Sequence, residues 1–130
     1  PMALDGSKHV FYVYPFLFNA KIFVTTRAQF ASAMLAEGFA LGVGYQKPLY
    51  LLDFFRSDKT FQHLPFLERA KYVSGMCPTV EKLYNEEMLY TGICRYPLGA
   101  AQIDLFLAAA RKIYDYRLEF IKYKDKGDGK

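Results

Sequence analysis

The sequence predicts an α+β domain, with helices on one face of a small, mostly antiparallel sheet. Three observations predict this. Short runs rich in Val, Phe and Tyr alternate with longer segments of helical periodicity, in the order strand, helix, strand, loop, helix, strand, helix. The helical segments open on capping signals and close on glycine, so they are separate elements. The 130 residues are the usual size of one domain, and a chain of this length buries roughly two-thirds of its unfolded surface. Residues 1–121 therefore read as a single domain and 122–130 as a polar tail.

The elements follow in order. Residues 10–18 read as a strand because Val, Phe and Tyr suit a pleated, half-buried surface. Pro15 assigns that strand to an edge or a bulge. Lys21 to Val24 is extended in character, continuing this strand or pairing with it. Thr26 and Gln29 stand at capping-box spacing, and Phe30, Ala33, Met34 and Glu37 follow at helical intervals until Gly38. Residues 41–45 form a short strand that another backbone or a ligand approaches closely, since Gly42 and Gly44 punctuate it. A long irregular stretch spans 46–75, with helical turns at 49–55 and 65–72. Pro78 starts the next helix, with Val80, Leu83, Tyr84 and Met88 on one face, ending at Gly92. Residues 93–96 form a strand closed by Pro97. Residues 100–120 form a long helix whose buried stripe is Ile103, Phe106, Leu107, Ala110 and Tyr114.

Charge and cysteine content exclude several classes. The net charge of +4 is mild, and the basic residues near the C-terminus are interrupted by Asp115, Glu119, Asp125 and Asp128. A nucleic-acid binder clusters its cations on one face, so no nucleic-acid partner is expected. Cys77 and Cys94 stand far apart without metal-ligand spacing, as free thiols in a reducing cytosol do. No apolar run is long enough to span a bilayer, and a cytoplasmic protein without a membrane partner is expected. The 12 Phe and 11 Tyr exceed what a small core usually needs. Either the core is unusually aromatic or part of this surface serves an interface.

Catalytic signatures are sparse. His9 and His63 are far apart, and neither has metal spacing. Nucleophile-elbow, P-loop and dinucleotide fingerprints are missing. Glu86 and Glu87 are adjacent and point different ways from a helix. The segment 38–52 differs: it joins a helix cap, a Gly-flanked strand and a Lys-Pro turn. Tyr45, Lys47 and Tyr50 can present polar tips at its mouth, or the segment is a plain strand-to-loop transition.

Four stretches carry a resemblance to a known family. They are His9-Val10-Phe11-Tyr12-Val13-Tyr14; Arg27-Ala28-Gln29-Phe30 through Glu37-Gly38-Phe39; Gly44-Tyr45-Gln46-Lys47-Pro48-Leu49-Tyr50; and Cys77-Pro78-Thr79-Val80-Glu81-Lys82-Leu83. In this order they resemble the C-terminal small domain of the DegT/DnrJ/EryC1/StrS family of PLP-dependent sugar aminotransferases. The motifs concerned are an opening strand, "R-x-x-F … L-x-x-E-G-[IF]", "H-Y-x-P-L-H" and "C-P-x-A-E-x-L". The family turn often has His where this chain has Gly44 or Tyr50.

The resemblance implies the small C-terminal domain of a fold-type I aminotransferase, without a complete active site of its own. It implies no cofactor in this chain alone, and PLP for a full enzyme whose large domain supplies the lysine. The implied substrate is a nucleotide-linked keto-sugar, and the implied partners are the large PLP-binding domain and a second copy in a dimer. No catalytic or metal-binding residue is expected here. His9, Tyr45, Lys47 and Tyr50 are the implied substrate-lining residues. The alternative is a non-enzymatic interaction module that binds through its aromatic surface.

Overall fold

The computed structural model describes residues 4–62 and 72–119. It is an α+β fold around a three-stranded antiparallel sheet. The strands are β1 (Tyr14–Leu17), β2 (Gly42–Val43) and β3 (Met88–Thr91), in the spatial order β1-β3-β2. Register pairs Phe16 with Leu89 and Val43 with Leu89, so β3 is central and Leu89 faces the core between both edges. Pro15 lies in an edge strand, where its missing N–H costs no ladder bond.

The helices are α1 (Ala20–Phe23), α2 (Arg27–Ala36), α3 (Asp53–Arg56), α4 (Asp58–Gln62), α5 (Pro78–Lys82) and α6 (Ala100–Asp115), with a 3₁₀ turn at Leu49–Leu51 and a π turn at Leu83–Glu87. The α2 capping box forms as the sequence predicts. Thr26 Oγ1 accepts from the Gln29 N–H at 3.2 Å, and Gln29 Oε1 accepts from the Thr26 N–H at 3.0 Å.

The core joins Phe18, Phe30, Met34, Leu89, Ala109 and Ile113, with Met34 and Leu89 fully buried. Phe16, Phe23, Phe39 and Phe106 pack around it. Ring centroids of Phe18, Phe23 and Phe30 lie 4.8 to 5.2 Å apart, within the range of favourable tilted and edge-to-face pairs. Much of the Phe content is thereby consumed by the core.

Several expectations need correction. The first strand is shorter than 10–18: Val10 and Tyr12 are 85% and 73% exposed. Thr91, the last residue of β3, already pairs with Tyr14, so residues 10–13 add no strand pairing, and the Tyr12 carbonyl instead accepts from the Arg95 guanidinium at 3.1 Å. Lys21 to Val24 is not extended. Asn19 caps α1 by accepting from the N–H groups of Lys21 and Ile22 at 3.0 and 3.3 Å, and Val24 closes the turn at φ 54°.

The helix from Pro78 ends at Glu87, not Gly92, and the strand that follows is Met88–Thr91, not 93–96. A strand there lets Leu89 pair with both neighbours and fill the core. That gain outweighs continuing a helix, whose propensity differences are only tenths of a kcal/mol per residue. Residues 93–96 instead form a turn before the cis Tyr96–Pro97 bond.

The α6 stripe is rotated. Phe106, Ala109, Ala110 and Ile113 face the core at i, i+3, i+4 and i+7, whereas Ile103, Leu107 and Tyr114 are at least one-third exposed. The helix stops at Asp115, where the Arg117 guanidinium donates to the Tyr114 carbonyl at 2.8 Å. The second strand covers only Gly42–Val43 within the expected 41–45. The expected turn near 49–55 is present as the 3₁₀ turn and α3. His63, residues 65–71 of the other turn, and the tail fall outside the described residues.

Candidate functional site

The turn that follows β2 is built by unusual backbone. Gly44 has φ +73°, and a Cβ there would stand 2.5 Å from the Tyr84 carbonyl oxygen. Its N–H donates to the Met88 carbonyl at 3.0 Å. Only glycine meets both demands. Tyr45 follows at φ 59°, and its ring packs edge-on against Tyr90 at 5.2 Å. Tyr90 in turn covers Gly42, where a Cβ would strike its ring. The close approach expected at this strand is therefore made by a tyrosine side chain. Lys47 is exposed, Pro48 is buried, and the 3₁₀ turn then carries Tyr50.

Tyr50 does not point freely into solvent. Its hydroxyl donates a short hydrogen bond to Glu81 Oε1. The Gly75 N–H donates to the same oxygen at 2.6 Å, and Ser74 Oγ donates to Oε2 at 2.9 Å. One carboxylate thus gathers three donors from two segments. Donation to the charged form holds Glu81 below the usual carboxylate range, Tyr50 contributing most. Burial, reinforced by the bond to Glu81, pushes Tyr50 up to about 12.

Arg27 organises the other end of the same helical stretch. Its guanidinium donates to the carbonyls of Tyr84 at 2.8 Å, Asn85 at 2.6 Å and Met88 at 3.1 Å, with Leu83 at 3.5 Å. The Tyr84 and Asn85 carbonyls lie near the end of the helical stretch, whereas the Leu83 carbonyl also accepts from the Met88 N–H and the Met88 carbonyl, in β3, also accepts from Gly44. A cation at a helix C-terminus is also favoured by the dipole. Burial lowers the Arg27 pKa, while Tyr84 and Glu86 act in the opposite direction.

The structure brings Tyr45, Lys47 and Tyr50 together on one turn and leaves His9 elsewhere. His9 is exposed and stacks on Phe11 at 3.8 Å, and Phe11 meets Tyr14 edge-on at 4.9 Å. Tyr14 begins β1 opposite Thr91, whereas β2 ends opposite Leu89 on the other edge. The His9 ladder and the Tyr45 turn therefore leave the sheet at diagonal corners.

A PLP site needs a lysine whose pKa is depressed by desolvation or by a neighbouring cation. Lys8, Lys21, Lys47, Lys59, Lys82 and Lys112 are all exposed. Lys82 and Lys112 are paired with Glu87 at 2.6 Å and Glu37 at 2.8 Å, and both pKa values are raised by those bonds. The described residues do not fit PLP. Among them, no group of three or more His, Cys, Asp and Glu could hold a metal ion. Cys77 and Cys94 are free. No described helix is long and apolar enough to cross a membrane.

Arg27, Ser74 and Glu81 were not among the sequence-derived candidates. Arg27 and Glu81 nevertheless stand in two of the four quoted stretches, where Glu37 and Lys82 are charged as well, so charge alone did not single them out. Ser74 had no signal. No protein-family model matches the chain, and neither curated proteins nor solved structures give a match.

Proposed function

We propose that this chain is the small domain of a PLP-dependent aminotransferase acting on a nucleotide-linked keto-sugar, with no complete active site of its own. The observation that carries this reading is how the motif stretches meet. Tyr50 of the turn stretch is bonded to Glu81 of the Cys77-Pro78 stretch. Arg27 of the helix stretch caps the carbonyls that follow Leu83. Residues far apart in sequence and quoted for one resemblance thus form one connected unit.

In this reading PLP belongs to a large domain and supplies the electron sink for amino-group transfer. This chain orients the sugar: Lys47 offers a cation to the diphosphate, and Tyr45 offers an aromatic face and a hydroxyl. The protein works in the cytoplasm as a dimer. The coding sequence upstream of this segment should carry, in frame, a lysine-bearing PLP segment; an upstream stop codon would overturn the reading. Borohydride reduction of the chain with PLP should leave no lysine labelled stoichiometrically, and a single lysine so labelled would show a complete site here.

A second reading, a non-enzymatic interaction module, is favoured by exposed aromatic side chains. Tyr96 is 98% exposed, and Tyr12, Phe54 and Tyr116 are each more than half exposed. Exposed aromatics of this kind are enriched at interfaces. A sedimentation experiment separates the state expected of either: a concentration-independent monomer removes the dimer.

A further inference from the structure

We infer that Glu81 is a positioning residue that sets the geometry of residues 45–47 by clasping Tyr50 and the 74–75 turn to α5. The clasp follows from the geometry alone; only the ligand of the positioned turn rests on the function proposed above. Residues 45–47 hang between two anchors. At one end Gly44 sits against the Tyr84 carbonyl oxygen and donates to Met88. At the other, Tyr50 donates to Glu81. Both anchors belong to the helical stretch that starts at Pro78 and runs into β3. That stretch is itself fixed by the Arg27 guanidinium.

The span between the anchors presents exposed Tyr45, Gln46 and Lys47. Its backbone holds a tyrosine at φ 59°, a conformation that costs free energy and persists only when the surroundings over-determine it. The Glu81 carboxylate supplies that constraint through three charge-assisted bonds, which are about twice as strong as neutral ones. The exposed groups suit a ligand with a diphosphate for Lys47 and a hydroxyl-rich ring for Tyr45, which is the chemistry of a nucleotide-linked sugar.

The test compares the 130-residue chain with Glu81→Gln by amide hydrogen exchange, tyrosine titration and NMR titration with UDP-glucose. In Glu81→Gln the amides of Gly75 and Leu51 should exchange about tenfold faster, because a charge-assisted bond is lost. The amides of Phe18 and Phe39, which donate to Glu87 and Met34, should keep their rates. The Tyr50 phenol, pushed up to about 12 by burial and by its bond to Glu81, should move down toward the ordinary tyrosine range. Unchanged rates at Gly75 and Leu51, or equal acceleration at Phe18 and Phe39, overturns the clasp.

If Glu81→Gln does not fold, Tyr50→Phe decides. It should accelerate Leu51 about tenfold and spare Gly75, whose own bond to Glu81 remains; an unchanged Leu51 overturns the inference. UDP-glucose should shift the resonances of Tyr45 and Lys47 in the wild-type chain. No shift there removes the sugar reading while the exchange data still decide the clasp, so the two failures are distinguishable.

Discussion

The two sides of this molecule are held by different forces. The α2/α6 side packs phenylalanines onto the sheet: Phe16, Phe18, Phe23, Phe30, Phe39 and Phe106 meet Met34, Leu89 and Ile113. The side that carries the 44–50 turn is held by polar groups on tyrosine, glutamate and arginine, namely Tyr50, Glu81 and Arg27. The first is spread over many small, non-directional contacts. The second is concentrated in a few directional bonds to charged groups. The packed side should therefore tolerate changes of pH and respond to lost volume. The polar side should respond to single atoms and to pH.

Substitutions ranked by expected size test that contrast. Leu89→Ala, at the fully buried centre of the sheet, should cost about 2–5 kcal/mol in urea unfolding. A smaller loss would mean that the core relaxes around the cavity. Gly44→Ala forces a side chain into φ +73° against the Tyr84 carbonyl and should cost about 1–3 kcal/mol. Arg27→Met keeps the aliphatic stem and removes the donors to the carbonyls of residues 84, 85 and 88. It should cost about 2 kcal/mol, the worth of a bond to a charged group; no loss would show that water replaces the guanidinium. Glu37→Gln removes only the exposed pair with Lys112. Exposed pairs contribute little, so its unfolding midpoint should match wild type at high salt.

The pH response of the polar side has a definite sign. Glu81 is held below its ordinary range, so its contribution is present above the unfolded carboxylate value and is lost as pH falls through the folded one. Tyr50 is raised to about 12, so its contribution is complete below the ordinary tyrosine value and is lost as pH rises toward about 12. Protection of the Gly75 and Leu51 amides, relative to their intrinsic exchange rates at each pH, should fall at both extremes, and Glu81→Gln should flatten the acid limb. An acid limb unchanged in that variant would assign the response to another carboxylate.

Local signals were legible where one residue acts on its immediate neighbours. Thr26 with Gln29 marked the start of α2, Pro78 the start of α5, and Pro15 an edge strand. Gly42 and Gly44 marked a close approach, although the sequence did not say that Tyr90 and Tyr84 make it. The sequence misplaced β3 because residues 80–88 satisfy a helical pattern through Val80, Leu83, Tyr84 and Met88. What overrides that pattern is the pairing of Leu89 with two strands, visible only once β1 and β2 are in place. The α6 stripe was rotated for a similar reason: apolar residues lie on several faces of that helix, and only the position of α2 and the sheet selects Phe106, Ala109 and Ile113.

The sequence by itself determined the α+β class, the capped helix and the glycine-built turn, because backbone conformation and capping depend on residues within one turn of each other. Tertiary structure alone decided where the central strand runs, which face of α6 is buried, and that Tyr50 is spent on Glu81. Those outcomes depend on partners from 31 positions away, for Tyr50 and Glu81, to 90, for Phe16 and Phe106, and burial and charge-assisted bonding act only after the chain has brought them together.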